Sequence, residues 1–253
     1  MERFGNLLGD KPVLAMLHLK GETGEERLSR ARREIDVLAD GGVDGVVVEN
    51  YFGGADDVER VLEYLSTRRP EITYGVNVLD DDARGFELAR RYGATFIQLD
   101  SVAGHLTPDD DPGFAEWLAG QRAETPALIL GGVRFKYQPV MSGNSLETDL
   151  LLAADRCDAV VVTGTGTGVE TDLDKIVRFR EILGDSFPLI AGAGVTADNG
   201  EAQLSAADGA IVGSYLKDTF TDAGDVSADH VEMLMAAVRR ARASGAPDPA
   251  TGA

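Results

Sequence analysis

Eight apolar runs of strand length, each followed by a segment with helical spacing, leave this chain few folds to choose from. The runs lie at 13–19, 45–50, 73–79, 96–100, 127–133, 159–164, 188–195 and 209–216. Between them the apolar residues recur every three or four positions, as with Leu28, Ala31, Ile35 and Leu38 in 25–42, which is the period of a helix packed on one side. Further helical segments fall at 56–65, 81–93, 113–122, 146–157, 173–184, 197–207 and 228–242. Strands that alternate with helices run parallel, because each helix carries the chain back to the edge where the next strand starts. Eight such units in 253 residues predict an α/β fold, a single (β/α)8 TIM barrel over 11–243. An N-terminal segment, 1–10, precedes it and a flexible tail, 244–253, follows. An open doubly wound sheet would carry GxGxxG after its first strand; here the first run continues as HLKGETG, residues 18–24.

Composition agrees with the pattern and removes some functions. Hydrophobic residues make up 43% of the chain but aromatics only 6%, so the apolar content is mostly Val, Leu, Ala and Ile, as in parallel strands buried on both faces. Asp and Glu number 43 against 24 Lys and Arg, a formal net charge of -19. Binding to a phosphate backbone relies on clustered cations, so nucleic acid is not an expected partner. The acidic excess is read as a solubilising surface, with adaptation to a salt-rich cytoplasm as the sharper alternative, since high ionic strength screens carboxylate repulsion. The lone Cys157 excludes an internal disulfide and is read as a small core residue. No apolar run approaches the roughly 18 residues of a membrane span, so a soluble, cytoplasmic protein without an integral membrane segment is expected. A homo-oligomer is compatible with all of this.

In such a barrel the chemistry sits at the C-terminal ends of the strands. The residues there are His18 and Lys20, then Glu49 and Asn50, Asn77 and Asp80, Asp100, Lys136, Thr163, Gly194 and Thr196, and Gly213 and Ser214. Glu49 closes the otherwise apolar GVVVE and must be solvated or paired, which suits a general base or a metal ligand. His18 suits acid/base work or donation to substrate. Lys136 neutralises substrate charge or forms a Schiff base, the first being the commoner role. Asn77 reads as a site residue and Asn50 as a substrate contact, although either could simply bond a neighbouring loop. A divalent ion such as Mg2+ could be held by Glu49 and Asp100, with no evident third ligand. The DDD run at 109–111 reads as a solvated loop, and His105 and His230 form no ligand spacing.

Phosphate is the expected anion, on position more than on glycine count. The loops after the seventh and eighth strands, AGAGVTADN and IVGSYLKD, occupy the usual phosphate site of such barrels. There Gly192, Gly194 and Gly213 free backbone amides, and Thr196 and Ser214 add hydroxyls. VVVTGTGTGVETD, from Val160 to Asp172, contributes Thr163, Gly164, Thr165 and Gly166 to the rim beside it. No GK[ST] follows these glycines, which excludes a Walker loop.

Taken in order, MLHL, GVDGVVVENY, YGVNVLDDD, VVVTGTGTG, AGVTADN and DGAIVGSYLK resemble the successive motifs of the BtpA/SgcQ family over about residues 11–218. The resemblance implies a TIM barrel of the ribulose-phosphate-binding type. It also implies either an enzyme of sugar-phosphate or nucleotide chemistry or, from the family's name, a factor in photosystem I biogenesis. The matching positions are His18, Glu49, Asn50, Asn77, Lys136, Thr163, Gly164, Thr165, Gly168, Gly194, Thr196, Asn199, Gly213 and Lys217. Departures are KGETG in place of a PLPG-like stretch, Gly132 and Tyr137 where members often carry Asp and His, and an altered LDSVAGHLTPDDD. The expected function is acid/base chemistry on a phosphorylated small molecule, such as isomerisation, aldol-type cleavage or hydrolysis. The alternative is a non-enzymatic assembly factor.

Overall fold

Eight parallel strands close into a barrel in chain order in the computed structural model, which describes residues 1–244. They are β1 (Val13–Leu17), β2 (Gly45–Glu49), β3 (Tyr74–Asn77), β4 (Phe96–Ala103), β5 (Leu128–Val133), β6 (Ala159–Val162), β7 (Leu189–Ala191) and β8 (Gly209–Val212). Closure is made by β1, which pairs with β2 through Leu14 and Gly45 and with β8 through Leu14 and Ile211. The helices are α1 (Glu2–Leu8), α2 (Gly24–Asp40), α3 (Ala55–Arg68), α4 (Asp82–Tyr92), α5 (Asp111–Ala123), α6 (Leu146–Arg156), α7 (Leu173–Leu183), α8 (Gly200–Ala206) and α9 (Ala228–Ser244). A single 3-10 turn, Ser214–Leu216, follows β8.

Local chemistry sets the helix limits. Thr23 accepts the Glu26 amide at the start of α2 while the Glu26 carboxylate accepts the Glu22 amide, so donors left over at the helix start are satisfied. Asp81 and Ser145 cap α4 and α6 in the same way. Gly93, at φ 67, ends α4 in the left-handed region, where glycine avoids the Cβ penalty.

Alternation along the strands divides the apolar residues into two cores. Leu14, Met16, Val47, Phe96, Leu128, Val161, Ile190 and Ile211 fill the barrel interior, while Ile35, Leu38, Val61, Leu65, Phe86 and Phe179 join helices to the outside of the sheet. Gly75 makes the interior possible at β3: a Cβ there would stand 2.1 Å from the Phe96 ring. Cys157 belongs to the outer core, its thiol pushed up to about 12 by burial and bonded to the Ala153 carbonyl.

Three departures from the sequence reading have local causes. Residues 1–10 carry α1, whose Phe4 and Leu8 join the interior core, while Arg3 bonds to Asp158 and to the Ala127 carbonyl beside the start of β5. Several strands stop short of their apolar runs because the mouth residues leave the ladder; Leu19, at φ 53, and Gly194, at φ 63, turn the chain there. β4 instead runs past Asp100, its pairing with β5 shifting register between Leu99 and Ala103. Ser244 belongs to α9, and the rest of the expected tail, 245–253, lies outside the described residues. Among the described residues no helix is long and apolar enough to cross a membrane.

Candidate active site

The C-terminal strand ends surround a cavity of about 390 Å³. Its floor is made by inward-facing strand residues, among them Met16, Gln98 and Ile211, and its wall by the loops that follow the strands. Glu49 and Asn77 are the last residues of β2 and β3 and stand directly opposite each other in register. The Asn77 amide donates to Glu49 Oε1 at 3.0 Å and to Asp100 Oδ1 at 3.3 Å. One side chain, itself 1% exposed, thus holds two carboxyl groups in place.

Burial, reinforced by the Asp100 charge, pushes Glu49 up to about 8 against the opposing pull of Lys136 and the Asn77 hydrogen bond. Asp100 is raised as well, again chiefly by burial. His18 moves the other way: burial and the Lys217 charge lower it to about 4, opposed by Asp222. Its Nε2 lies 3.8 Å from Glu49 Oε2 and its Nδ1 3.8 Å from Asp222 Oδ1. At neutral pH the pair is therefore a protonated carboxyl beside a neutral imidazole. A proton donor and a proton acceptor face the same space.

Tyr51 packs on His18 with ring centroids 4.9 Å apart, and a Cβ at Gly213 would stand 3.1 Å from His18 Cε1. Glycine at 213 leaves the imidazole its room. Lys136, on the loop after β5, projects its amine over the rings of Phe135 at 5.2 Å and Tyr137 at 5.4 Å. Tyr137 in turn accepts the Thr167 amide at 2.8 Å and meets the Thr167 hydroxyl at 2.7 Å, which ties the β5 and β6 loops together across the rim.

The expected phosphate side has a more specific build than glycine freedom alone. Gly194 is required by contact as well as by φ, since a Cβ would fall 2.3 Å from the Glu170 amide nitrogen. Thr196 lines the cavity, but its hydroxyl accepts the Asp198 and Asn199 amides and its own amide donates to Asn199 Oδ1. Ser214 donates its hydroxyl to Asp222 at 2.5 Å. The amides of Gly213, Ser214 and Tyr215 bond to no group among the described residues and stand at the β8 edge of the cavity.

His18, Glu49, Asp100, Lys136, Thr163, Gly192, Gly194, Thr196, Gly213 and Ser214 all line this one cavity. Asn77 supports it from behind. Asn50 does not face it: its side chain accepts the Leu79 amide at 2.7 Å and so joins the β2 and β3 loops. Gly164 packs under Val169 and Glu170, and Thr165 and Gly166 do not line the cavity, leaving Thr167 and Gly168 as the cavity-lining part of the glycine run. Lys217 is buried against Glu34 at 3.0 Å and does not line the cavity.

Asp222, Tyr51 and Gln98 escaped the sequence reading. Only the position of Asp222 in the loop between β8 and α9 could have pointed to it. Among the described residues no three His, Cys, Asp or Glu side chains are grouped to hold a metal ion. Between Glu49 and Asp100 stands the Asn77 amide nitrogen, a donor rather than a ligand. Asp111, in the acidic run, is engaged by Arg156.

A family model described as the BtpA family matches residues 9–240. An uncharacterized protein of Pyrococcus abyssi is 29% identical over 93% of this chain and 98% of its own length. The photosystem I biogenesis protein BtpA of Synechocystis is 28% identical, covering 86% of this chain and 84% of that protein. The sgc region protein SgcQ of Escherichia coli is 27% identical over 92% and 96% respectively. Among solved structures, thiamine phosphate pyrophosphorylase from Pyrococcus furiosus superposes with a TM-score of 0.61 at 18% identity, over 95% of this chain and 99% of that one. Orotidine 5'-phosphate decarboxylase from Pyrococcus horikoshii gives 0.58 at 15% identity, over 90% and 99%. At such identities the likeness is one of fold.

Proposed function

The chain belongs to the BtpA family, and from that premise we propose that it is an enzyme acting by proton transfer on a phosphorylated small molecule, a sugar phosphate or a nucleotide-derived metabolite. The observation that carries this reading is the Glu49–His18 pair. A factor that only binds a partner has no use for a carboxyl held protonated to about 8 beside an imidazole held neutral to about 4. Catalytic acids and bases are tuned toward the working pH in this way, by burial and neighbours.

In this reading protonated Glu49 delivers a proton to a carbonyl or leaving oxygen, and neutral His18 takes one from the adjacent carbon, hydroxyl or water. The Lys136 ammonium neutralises negative charge that develops between them. Isomerisation, aldol-type cleavage and hydrolysis share these steps. The unpartnered amides at Gly213 to Tyr215 supply neutral donors for the phosphate, which suits a protein of net charge -19. Structural neighbours on the same fold are named for phosphorylated compounds, which favours a phosphorylated ligand.

A thermal-shift screen against phosphorylated sugars and nucleotides, with and without Mg2+, tests this, because a ligand that binds only the native state raises Tm by mass action. A shift is expected with at least one phosphorylated compound, retained in Glu49→Gln while turnover of that compound is lost. No shift across the panel would remove the enzyme reading. The biogenesis reading rests on the name of the Synechocystis relative; it would gain if the protein bound a membrane complex with Glu49→Gln and Lys136→Ala as competent as wild type.

A further inference from the structure

Aromatic residues are scarce in this chain, 6% of it, yet the exposed ones collect in one place. Among the described residues the exposed aromatic side chains are Tyr51, Phe52, Tyr137 and Phe220. Tyr51, Tyr137 and Phe220 line the cavity, and Phe52 stands edge-on to Tyr51 at 5.0 Å. Tyr137 is 63% exposed. Leaving such rings in water has a standing cost, and a cluster of them at a cavity mouth marks a binding surface.

The rings can take the C–H face of a sugar, whose hydroxyls then turn to the polar lining below, but they match a planar ring over its whole face. Pyranose and furanose hydroxyls need hydrogen-bonding partners when buried, and ring carbon supplies none. A planar heterocycle has a π face that ring carbon does satisfy. At the floor the buried Gln98 Oε1 has no hydrogen-bond partner and offers an acceptor to a ligand hydroxyl. A cavity of about 390 Å³ is within the range of small-ligand sites.

We propose that the substrate is a nucleotide, a phosphorylated compound whose heteroaromatic ring stacks on Tyr51 and Tyr137 at the rim between the β2 and β5 loops. This rests on the reading of the cavity as a phosphorylated-substrate site. The ribose then lies across the Glu49–His18 pair.

The test measures dissociation constants for the four ribonucleoside monophosphates, the corresponding nucleosides and ribose 5-phosphate, on wild type, Tyr137→Phe and Tyr137→Ala. At least one nucleotide should bind about tenfold tighter than ribose 5-phosphate. Tyr137→Ala should remove most of that difference and weaken ribose 5-phosphate far less, and Tyr137→Phe, which keeps the ring and loses only the bonds to Thr167, should keep the difference. Tyr51→Leu supplies an independent variant if Tyr137→Ala lowers Tm. Ribose 5-phosphate binding as tightly as every nucleotide, or Tyr137→Ala weakening both alike, would overturn the stacked ring while leaving the phosphate site standing. A nucleoside binding as tightly as its nucleotide would keep the ring and remove the phosphate. Binding of none of them would overturn both.

Discussion

Glu49 and His18 make opposite contributions to how stability depends on pH, and the signs can be worked out residue by residue. The folded value of Glu49, about 8, lies above its ordinary 4.5, so folding takes up a proton between those values and stability falls as pH rises from about 4.5 to 8. For His18 the folded value of about 4 lies below 6.5; the stability it contributes is present above 6.5 and lost as pH falls toward 4. Glu49→Gln keeps an acceptor for the Asn77 amide without a charge to desolvate. The stability difference between this variant and wild type should be small at pH 5 and should grow in the variant's favour up to pH 9, on the order of 5 kcal/mol at the upper end. A flat difference across that range would show that Glu49 is ionised in the fold. Asp222 acts on the other nitrogen: its charge is the main influence raising His18. Asp222→Asn should lower the His18 titration further, which nuclear magnetic resonance can follow because the chain has only 3 histidines. An unchanged titration would mean that the 3.8 Å approach carries no coupling.

At the scale of elements, the strands and helices were legible because burial imposes two periods and nothing in this fold conflicts with them. GVVVE could only be a strand buried on both faces, and its closing carboxylate could only be at the mouth; Glu49 was therefore readable from five residues. The misses are of another kind. α1 is seven residues long and gains its place by inserting Phe4 and Leu8 into the barrel interior, a contact with no local signature. Asp222 depends on how a loop folds back over the rim, and the inward residue of a flexible run such as TGTGTG, Thr167 and not Thr165, is chosen by what the run packs on. Thr167 is fixed by Tyr137, whose position in the β5 loop no periodicity reports. Between β3 and β4 the fit can be tested directly. Gly75→Ala would place a methyl 2.1 Å from the Phe96 ring, and Phe96 is fully buried. Overpacking of this kind costs about 1–3 kcal/mol, so Tm should fall by several degrees in a thermal melt. Phe96→Leu in the same chain should recover part of it, giving a double variant more stable than the sum of two losses predicts. Simple additivity would place the strain elsewhere.

The whole molecule carries a charge problem that no single residue solves. Its 43 carboxylates outnumber its 24 Lys and Arg side chains by 19, the difference 43 − 24, so pairing every cation would still leave 19 negative charges without a partner. Some of the pairs observed join neighbouring helices, as with Arg84 to Glu59 and Arg91 to the same carboxylate, and an exposed pair is worth little on its own. Repulsion among the remaining carboxylates opposes the compact state. Salt screens attraction and repulsion alike, with a Debye length of about 3 Å at molar concentration; because the excess is all of one sign, the repulsive part is the larger loss. Added KCl should therefore raise Tm steadily into the molar range. The rise should be the same in KCl and NaCl, since screening depends on ionic strength and not on which cation supplies it. A Tm that stays level or falls with molar salt would show that the acidic surface is already balanced by its local pairs, and the idea of adaptation to a salt-rich cytoplasm would go with it.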